Sequence, residues 1–564
     1  MKREAGVLAA AVFAALSSTA VAAQQIPSTV EPGRVEERLR QPPEPAKKPA
    51  PQLPVSTIEN TTEPVDSRDI RIELRELVVE SATAFAPDEL TSPYASLLGY
   101  NVTLAQVYAI ANEMTAHYRA AGYVLSQVVV PVQTITNGRV RLQVVEGYLS
   151  RVQFAGAVSG RERMLHAVEQ RLIAERPLSN RTLERELLLL NDLPGLVAQA
   201  VLQPGEGDGA SLLTINLSQS SVSGSLGATN RGSEVQGPLQ YEAAFALSSL
   251  FSLNEATSLR YLQSSERDEL WLASLAHTQR LTSKGLDLTL ASSVSRSSPE
   301  LGIEFQDLNL ETDTNQASLQ LAYPILRSRT GNLRARAALT YHDGLTDSEF
   351  GPLTEDVITA VRIGVSFDSV DAWRGVNLID VEFSKGISAL GSANAGDPFA
   401  SRVGGNPEFS KATLYIARLQ ALGPRLSLLL AASGQAAFSN LLAPEEFAFG
   451  GEFYGRAYDS SEVVGDSGAA GKVELRYTID NPGGFGFTLY GFYEAGTVWR
   501  RLDATEAGAD DEESAASAGG GIRMTMGPYV SGYVEGAVPL DHIVAAEGND
   551  DARVFGGIKF SFGR

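Results

Sequence analysis

The sequence predicts α+β domains at the N-terminal side, followed by an all-β transmembrane barrel of about sixteen antiparallel strands. Three observations carry this. Helical periodicity, clear between residues 100 and 190, is gone from about Val222 to Arg564. The segments that replace it alternate two faces: Ile379, Val381 and Phe383 oppose Asp380, Glu382 and Ser384. Charge inside and apolar groups outside, over about ten residues, is the pattern of a membrane barrel with a polar lumen. Finally, 343 residues (222 to 564) at about 21 per strand and turn give about sixteen strands, the even number that bacterial barrels have.

In chain order, Lys2 and Arg3 precede an apolar run over 5–16, and Ala20-Val21-Ala22-Ala23 precede Gln24. This is the layout of a secretory signal peptide over residues 1–23. Beyond it no run of about 18 apolar residues occurs, so no membrane helix is expected. Residues 24–69 read as a linker, because nine prolines between Pro27 and Pro64 favour extended, solvated backbone. Within it 34-RVEERLR-40 could form about two helical turns, marginal in isolation, and a plain spacer is an equal reading.

From Ile70 the texture is compact α+β. Ile70, Ile72 and Leu74 alternate as a strand, and Pro87 opens a short helix. Thr103 caps a longer helix carrying Leu104, Val107, Ile110, Ala111, Met114 and Tyr118 at helical spacing, and Gly122 ends it. Strands follow over 125–131 and 139–146. The pattern then repeats: a strand over 148–155, helices over 161–173 and 182–190, and strands over 197–204 and 211–217. The apolar run Leu187–Leu190 is core.

In the barrel region, Leu333, Ala335, Ala337, Leu339 and Tyr341 oppose Arg334, Arg336 and Thr340. Val473, Leu475, Tyr477 and Ile479 oppose Lys472, Glu474 and Arg476. Eleven candidate strands precede Phe449 and five follow Gly468. Between them 450-GGEFYGRAYDSSEVVGDSG-468 is a long Gly- and Asp-rich loop. Arg456 sits in its tight FYGRAY turn. On a soluble surface this would be a solvated charge; inside a barrel lumen it needs an acid. The last strand, 553-RVFGGIKFSF-562, turns Val554, Ile558, Phe560 and Phe562 outward, with Gly563-Arg564 after the terminal aromatic.

The loop, the wall segment 490-YGFYEAG-496 and the repeated α+β pattern resemble the two-partner secretion transporters, the TpsB or haemolysin secretion/activation family of POTRA-plus-barrel outer-membrane proteins. The segments 118-YRAAGYVLSQVVVPVQTITNG-138 and 144-VVEG-147 are similar to a first POTRA domain (70–147), and 187-LLLLNDLPGLVAQAVLQPGEGDGASLLTINL-217 to a second (148–218). The barrel is then 219–564, with the loop around 449–470 folded inward. The resemblance implies that Arg456 pairs with Glu494 on the inner wall. It makes Gly450, Gly451, Gly455, Tyr458, Gly465, Asp466 and Gly468 the loop motif, and Phe492 and Gly496 the wall motif. This chain departs at the tip, which reads Gly455-Arg456-Ala457-Tyr458, and in having Glu494 where the family has Asp. The resemblance further implies that 34–40 plugs the barrel. It also implies that POTRA edge strands, here Leu125, Val128 and Val130 and then Val197 and Val201, capture the N-terminal secretion signal of a partner exoprotein by strand addition.

Composition narrows the rest. The net charge of −21 argues against a nucleic-acid partner, whereas outer-membrane lipid is expected around the barrel. With no cysteine, thiolate metal sites and disulfides are excluded. His117, His166, His277, His342 and His542 lie on different elements without metal-ligand spacing. Neither a G-x-S-x-G elbow nor a phosphate-binding loop is present. Asp510, Asp511, Glu512 and Glu513 read as an acidic surface loop between strands. No enzyme activity, cofactor or metal is expected. A barrel-assembly insertase, a passive porin and an outer-membrane hydrolase are the remaining alternatives.

Overall fold

A computed structural model describes residues 44–45, 67–157, 160–266, 268–300, 308–402, 404–480, 484–501 and 511–563. The expected signal peptide and the helix expected over 34–40 lie outside the described residues.

The first unit holds β1 (Arg71–Glu73), β2 (Glu76–Glu80), β3 (Asn101–Thr103), helix α1 (Leu104–Ala120), β4 (Gln127–Val129) and β5 (Arg139–Val145). Its main sheet runs β2-β5-β4, with β2 parallel and β4 antiparallel to β5. The Thr103 hydroxyl accepts the Gln106 N–H at 3.2 Å and the Gln106 side chain accepts the Thr103 N–H at 2.8 Å, a reciprocal cap. Val107, Ile110, Ala111, Met114 and Tyr118 of α1 pack on Val140, Leu142 and Val144 of β5. The expected strand through Ile70, Ile72 and Leu74 is corrected: Ile70 is exposed, and β1 pairs only with β3. Leu74 is buried, but its N–H and C=O bond to Tyr100 and Gly99 in a loop. The first strand of the main sheet is β2, whose Glu76 and Glu80 ends hide a short apolar centre.

The second unit has the same strand–helix–strand–strand core with two α-helices in place of one: β6 (Tyr148–Gly156), α2 (Glu162–Ala174), α3 (Asn180–Asn191), β7 (Leu196–Pro204) and β8 (Ala210–Gln219). Its sheet, β6-β8-β7, has the same parallel-then-antiparallel pairing. Leu165, Val168 and Leu172 of α2 and Leu183, Leu187 and Leu190 of α3 cover Leu213 and Ile215. Asp192, just past α3, accepts from Nη2 and Nε of Arg327, at the end of a barrel strand, at 2.6 and 2.8 Å.

The barrel begins with β9 (Val222–Thr229), β10 (Gln240–Ser248), β11 (Glu255–Ser264), β12 (Leu270–Arg280) and β13 (Asp287–Ser297). It continues with β14 (Glu311–Arg327), β15 (Gly331–Ser348), β16 (Gly351–Val370), β17 (Gly375–Gly386), β18 (Ser410–Ala421) and β19 (Leu426–Ala437). A short hairpin, β20 (Phe447–Phe449) with β21 (Val463–Gly465), lies between β19 and the remaining wall strands. These are β22 (Ser467–Asp480), β23 (Phe485–Trp499), β24 (Glu512–Met526), β25 (Val530–Pro539) and β26 (Arg553–Phe562). Sixteen strands close into one antiparallel ring, eleven before the hairpin and five after it, with β26 paired back onto β9. Closure leaves no edge strand in the ring, so the backbone groups that the ladder pairs need no water. Val473, Leu475, Tyr477 and Ile479 face outward, while Lys472 and Glu474 are buried inside. Val554, Ile558, Phe560 and Phe562 also face outward. Among the described residues no helix is long and apolar enough to cross a membrane.

The acidic-loop reading of Glu512 and Glu513 is corrected, since both begin β24. Glu513 pairs with Arg500 across the hairpin at 2.5 Å, so the ladder continues where composition alone suggests a loop. Asp510 lies outside the described residues.

Candidate functional site

The loop between β19 and β22 turns back into the lumen. Its tip is tightly folded on itself: the Gly450 N–H donates to the Tyr454 carbonyl at 3.0 Å, Gly451 to Tyr458 at 3.2 Å and Tyr458 to Gly455 at 2.8 Å. Gly455 has φ +76°, and a Cβ there would stand 2.7 Å from the Phe449 ring, so a side chain is excluded on both counts. The wall is shaped to match. A Cβ on Gly496 would meet the Phe449 ring at 2.3 Å, and one on Gly468 the Phe447 ring at 2.1 Å. These two wall glycines leave the slots that receive the two aromatic side chains of β20.

Arg456 is buried at the tip. Its Nε donates to Glu494 Oε1 at 2.8 Å, and the backbone N–H groups of Gly455 and Arg456 both donate to Glu494 Oε2, at 2.8 and 2.9 Å. The glutamate therefore holds the side chain with one oxygen and the turn with the other. Arg456 Nη1 reaches two more carboxylates, Glu474 of β22 at 2.8 Å and Glu535 of β25 at 3.0 Å. The guanidinium carbon stands 3.5 Å from the centre of the Phe492 ring, a desolvated cation–π contact. The acids are shared outward. Glu474 also accepts from Arg476 at 2.6 Å and from Arg523 at 2.7 Å, and Glu535 from Arg231 and the Tyr490 hydroxyl.

The other loop residues fix the loop's stem. Tyr458 is buried, and its hydroxyl donates to the Ala516 carbonyl of β24 at 2.8 Å. Gly465 ends β21. Asp466 is fully buried: it accepts from the Arg402 guanidinium at 2.8 and 3.2 Å, from the Leu441 N–H at 2.6 Å and from the Arg501 N–H at 2.8 Å. One carboxylate thus ties together three loops at the outer end of the barrel.

A sequence profile described as "Haemolysin secretion/activation protein ShlB/FhaC/HecB" matches residues 209–524. The chain belongs to this family. A second profile, "POTRA domain, ShlB-type", matches residues 72–147. Among curated relatives, the heme/hemopexin transporter protein HuxB of Haemophilus influenzae is 21% identical over 466 residues, 81% of each chain. The outer membrane transporter CdiB of Dickeya dadantii is 21% identical over 428 residues, 72% of each. The solved structure of CdiB from Escherichia coli superposes with a TM-score of 0.71 at 18% identity, covering 94% of this chain and 95% of that one. The chain is thus an outer-membrane transporter of two-partner secretion, with a POTRA-type domain before its barrel.

In this secretion transporter the two α+β units have unequal edges. β4 and β7 each pair on one side only. Val197 and Val201 of β7 are exposed and Val130 is half-buried. Leu125 and Val128 do not present side chains to a partner. Leu125 packs into the core of the second unit, and Val128 is buried with its N–H donated to the Thr115 hydroxyl at 2.9 Å. The physical cause is the shortness of β4, which leaves Leu125 in the junction between the units.

Glu44, four residues beyond the segment expected to plug the barrel, lies in the lumen. Its carboxylate accepts from Arg476 at 3.0 and 3.1 Å and stands 3.9 Å from Lys472. Sequence reasoning missed Glu44, Glu474 and Glu535 as partners in this cluster. Glu474 carries a signal, its place on the charged face of β22. Glu535 carries a weaker one, as the lone acid in 530-VSGYVEGAVP-539.

Proposed function

We propose that this transporter exports one large exoprotein, of adhesin or haemolysin type, and that the Arg456–Glu494 pair keeps its loop inside the barrel between export events. The observation that carries the reading is the tip arginine, buried against three carboxylates from three wall strands. A contact of that kind is costly to desolvate and is weak evidence for stability by itself, but it specifies one loop position. The N-terminal secretion signal of the partner adds as a strand to the α+β units. The exposed β7 edge with Val197 and Val201 suits this better than β4. The second unit, 148–218, acts as a second POTRA domain; its strand order, the same as in the matched first unit, supports this. The plug segment leaves the lumen, the loop gives way, and the chain passes outward. Folding at the surface supplies the drive.

The test compares the proteins of the medium and of the outer membrane with and without this gene. Loss of one large exported protein, with the outer membrane otherwise intact, is expected and names the cargo. A broad fall in many barrel proteins would identify an insertase instead, and no change in either would remove the export reading.

A further inference from the structure

The loop meets the wall a second time, near its root, with the charges reversed. After β19 the chain makes a 3-10 turn, Ala443–Glu445, before entering β20. Glu445 is buried, and its carboxylate lies between Arg362 of β16 and Lys411 of β18. Arg362 Nη1 donates to Oε2 at 3.2 Å and Nη2 to Oε1 at 2.5 Å, while Lys411 Nζ is 2.8 Å from Oε2. The carbonyl of the same residue accepts from Lys411 Nζ at 2.7 Å and from Gln435 of β19 at 2.9 Å. Arg362 is steadied by Thr340 at 3.2 Å and Ser384 at 3.0 Å. One loop residue therefore bridges three wall strands.

The place of this contact matters as much as its strength. At the tip the loop supplies the cation and β22, β23 and β25 supply the acids. At the root the loop supplies the acid, and β16 and β18 supply the cations. The two contacts share no residue. A cavity of about 500 Å³ in the lumen is walled by polar side chains such as Gln316, Ser318 and Thr340, and Pro444 and Glu445 form its loop side. Glu445 thus stands where the loop-filled part of the lumen meets open space.

We propose that Glu445, with Arg362 and Lys411, is a second latch that sets the width of the open part of the channel, separately from the tip. Removing its carboxylate leaves Arg362 and the buried Lys411 without the anion that they share, an arrangement of two like charges at one contact. Such an arrangement draws in water and drives the loop root from the wall. The tip remains seated, because its own acids are untouched. The inference rests on the reading that the loop occupies the lumen between export events, and Arg456→Ala tests the tip contact separately.

The experiment measures single-channel conductance of the purified full-length protein in planar bilayers. In parallel, a single cysteine at Ser460 reports tip exposure through maleimide labelling. Glu445→Gln is expected to raise conductance several-fold with tip labelling unchanged. Glu445→Lys combined with Arg362→Glu restores an opposed pair and is expected to bring conductance back toward the parent value. If Glu445→Gln does not yield an inserted barrel, Lys411→Met, which leaves Arg362 to hold the carboxylate, is read by the same criterion with a smaller rise. Parent-like conductance in the inserted variant overturns the latch, and so does a rise accompanied by tip labelling like that of Arg456→Ala. Failure of Arg456→Ala alone to change labelling would overturn the tip lock and leave the root latch standing.

Discussion

Replacing Arg456 by alanine acts unequally on the three acids that surround it. Glu474 keeps Arg476 at 2.6 Å and Arg523 at 2.7 Å, and Glu535 keeps Arg231 and Tyr490. Glu494 loses its Nε donor and retains the Gly455 and residue-456 N–H groups and Ser517 at 3.4 Å. Breaking a buried ion pair by removing one partner costs about 3–5 kcal/mol. Because two of the acids keep cations, the lower end, about 3 kcal/mol, is the appropriate figure here. At about 1.4 kcal/mol per factor of ten, the out-of-wall population of the loop rises roughly 100-fold. Glu494→Gln preserves an acceptor for the backbone N–H groups and leaves Arg456 with Glu474 and Glu535, so it should shift the population less. The chain contains no cysteine, so a single cysteine placed at Ser460 labels cleanly. Arg456→Ala is expected to speed labelling by a membrane-impermeant maleimide by about two orders of magnitude and to lower secretion while the barrel still inserts. Unchanged labelling with normal secretion would refute the lock.

Other consequences can be checked alongside. Glu44→Gln removes the lumenal ion pair with Arg476 at 3.0 Å and should raise basal conductance; equal conductance would show that this contact does not hold the N-terminal segment. Gly496→Val puts atoms where the Phe449 ring sits, 2.3 Å from the added Cβ. It should cost about 1–3 kcal/mol of loop seating, read as faster Ser460→Cys labelling and partly rescued by Phe449→Ala. In the first α+β unit, burial of the Glu146 carboxyl opposes its charge. Hydrogen bonds from Thr83, Ala84 and Tyr118 outweigh this and hold it below the ordinary carboxylate range. The depressed value means that this stabilisation is present above the ordinary glutamate pKa of about 4.3 and is lost as pH falls below it. Protection factors in β2 and β5 of the intact protein, referred to the intrinsic exchange rate at each pH, should therefore fall on acidification, and Glu146→Gln should remove most of that dependence. Asp192→Asn weakens the two-point contact with Arg327 at 2.6 and 2.8 Å, and cross-linking between α3 and the end of that barrel strand should then become less uniform.

Much of the architecture was legible because its signals are local. A period of two with charge on one face is a property of neighbouring residues, so β17 and β22 could be placed with the correct face inward from Asp380, Glu382 and Lys472 onward. The eleven-plus-five division of the strands followed from turn spacing. Helix α1 announced itself through Thr103, its apolar stripe and Gly122. Arg456 and Glu494 were reached through the loop and wall motifs. Strand β2 was lost because five residues with charged ends give too short an alternation to stand out.

The sequence by itself determined which residues line the lumen and which face lipid, since side-chain direction along a strand follows from backbone pleating alone. Only the tertiary structure decided which of the lumen residues meet. Glu474 and Glu535 converge on Arg456 because β22 and β25, three strands apart in the ring, are curved toward one another by closure of the barrel. Glu445 finds Arg362 and Lys411 for the same reason, across 83 and 34 residues of chain. Distances across a lumen depend on strand number, tilt and stagger together, and none of these is a property of any one segment.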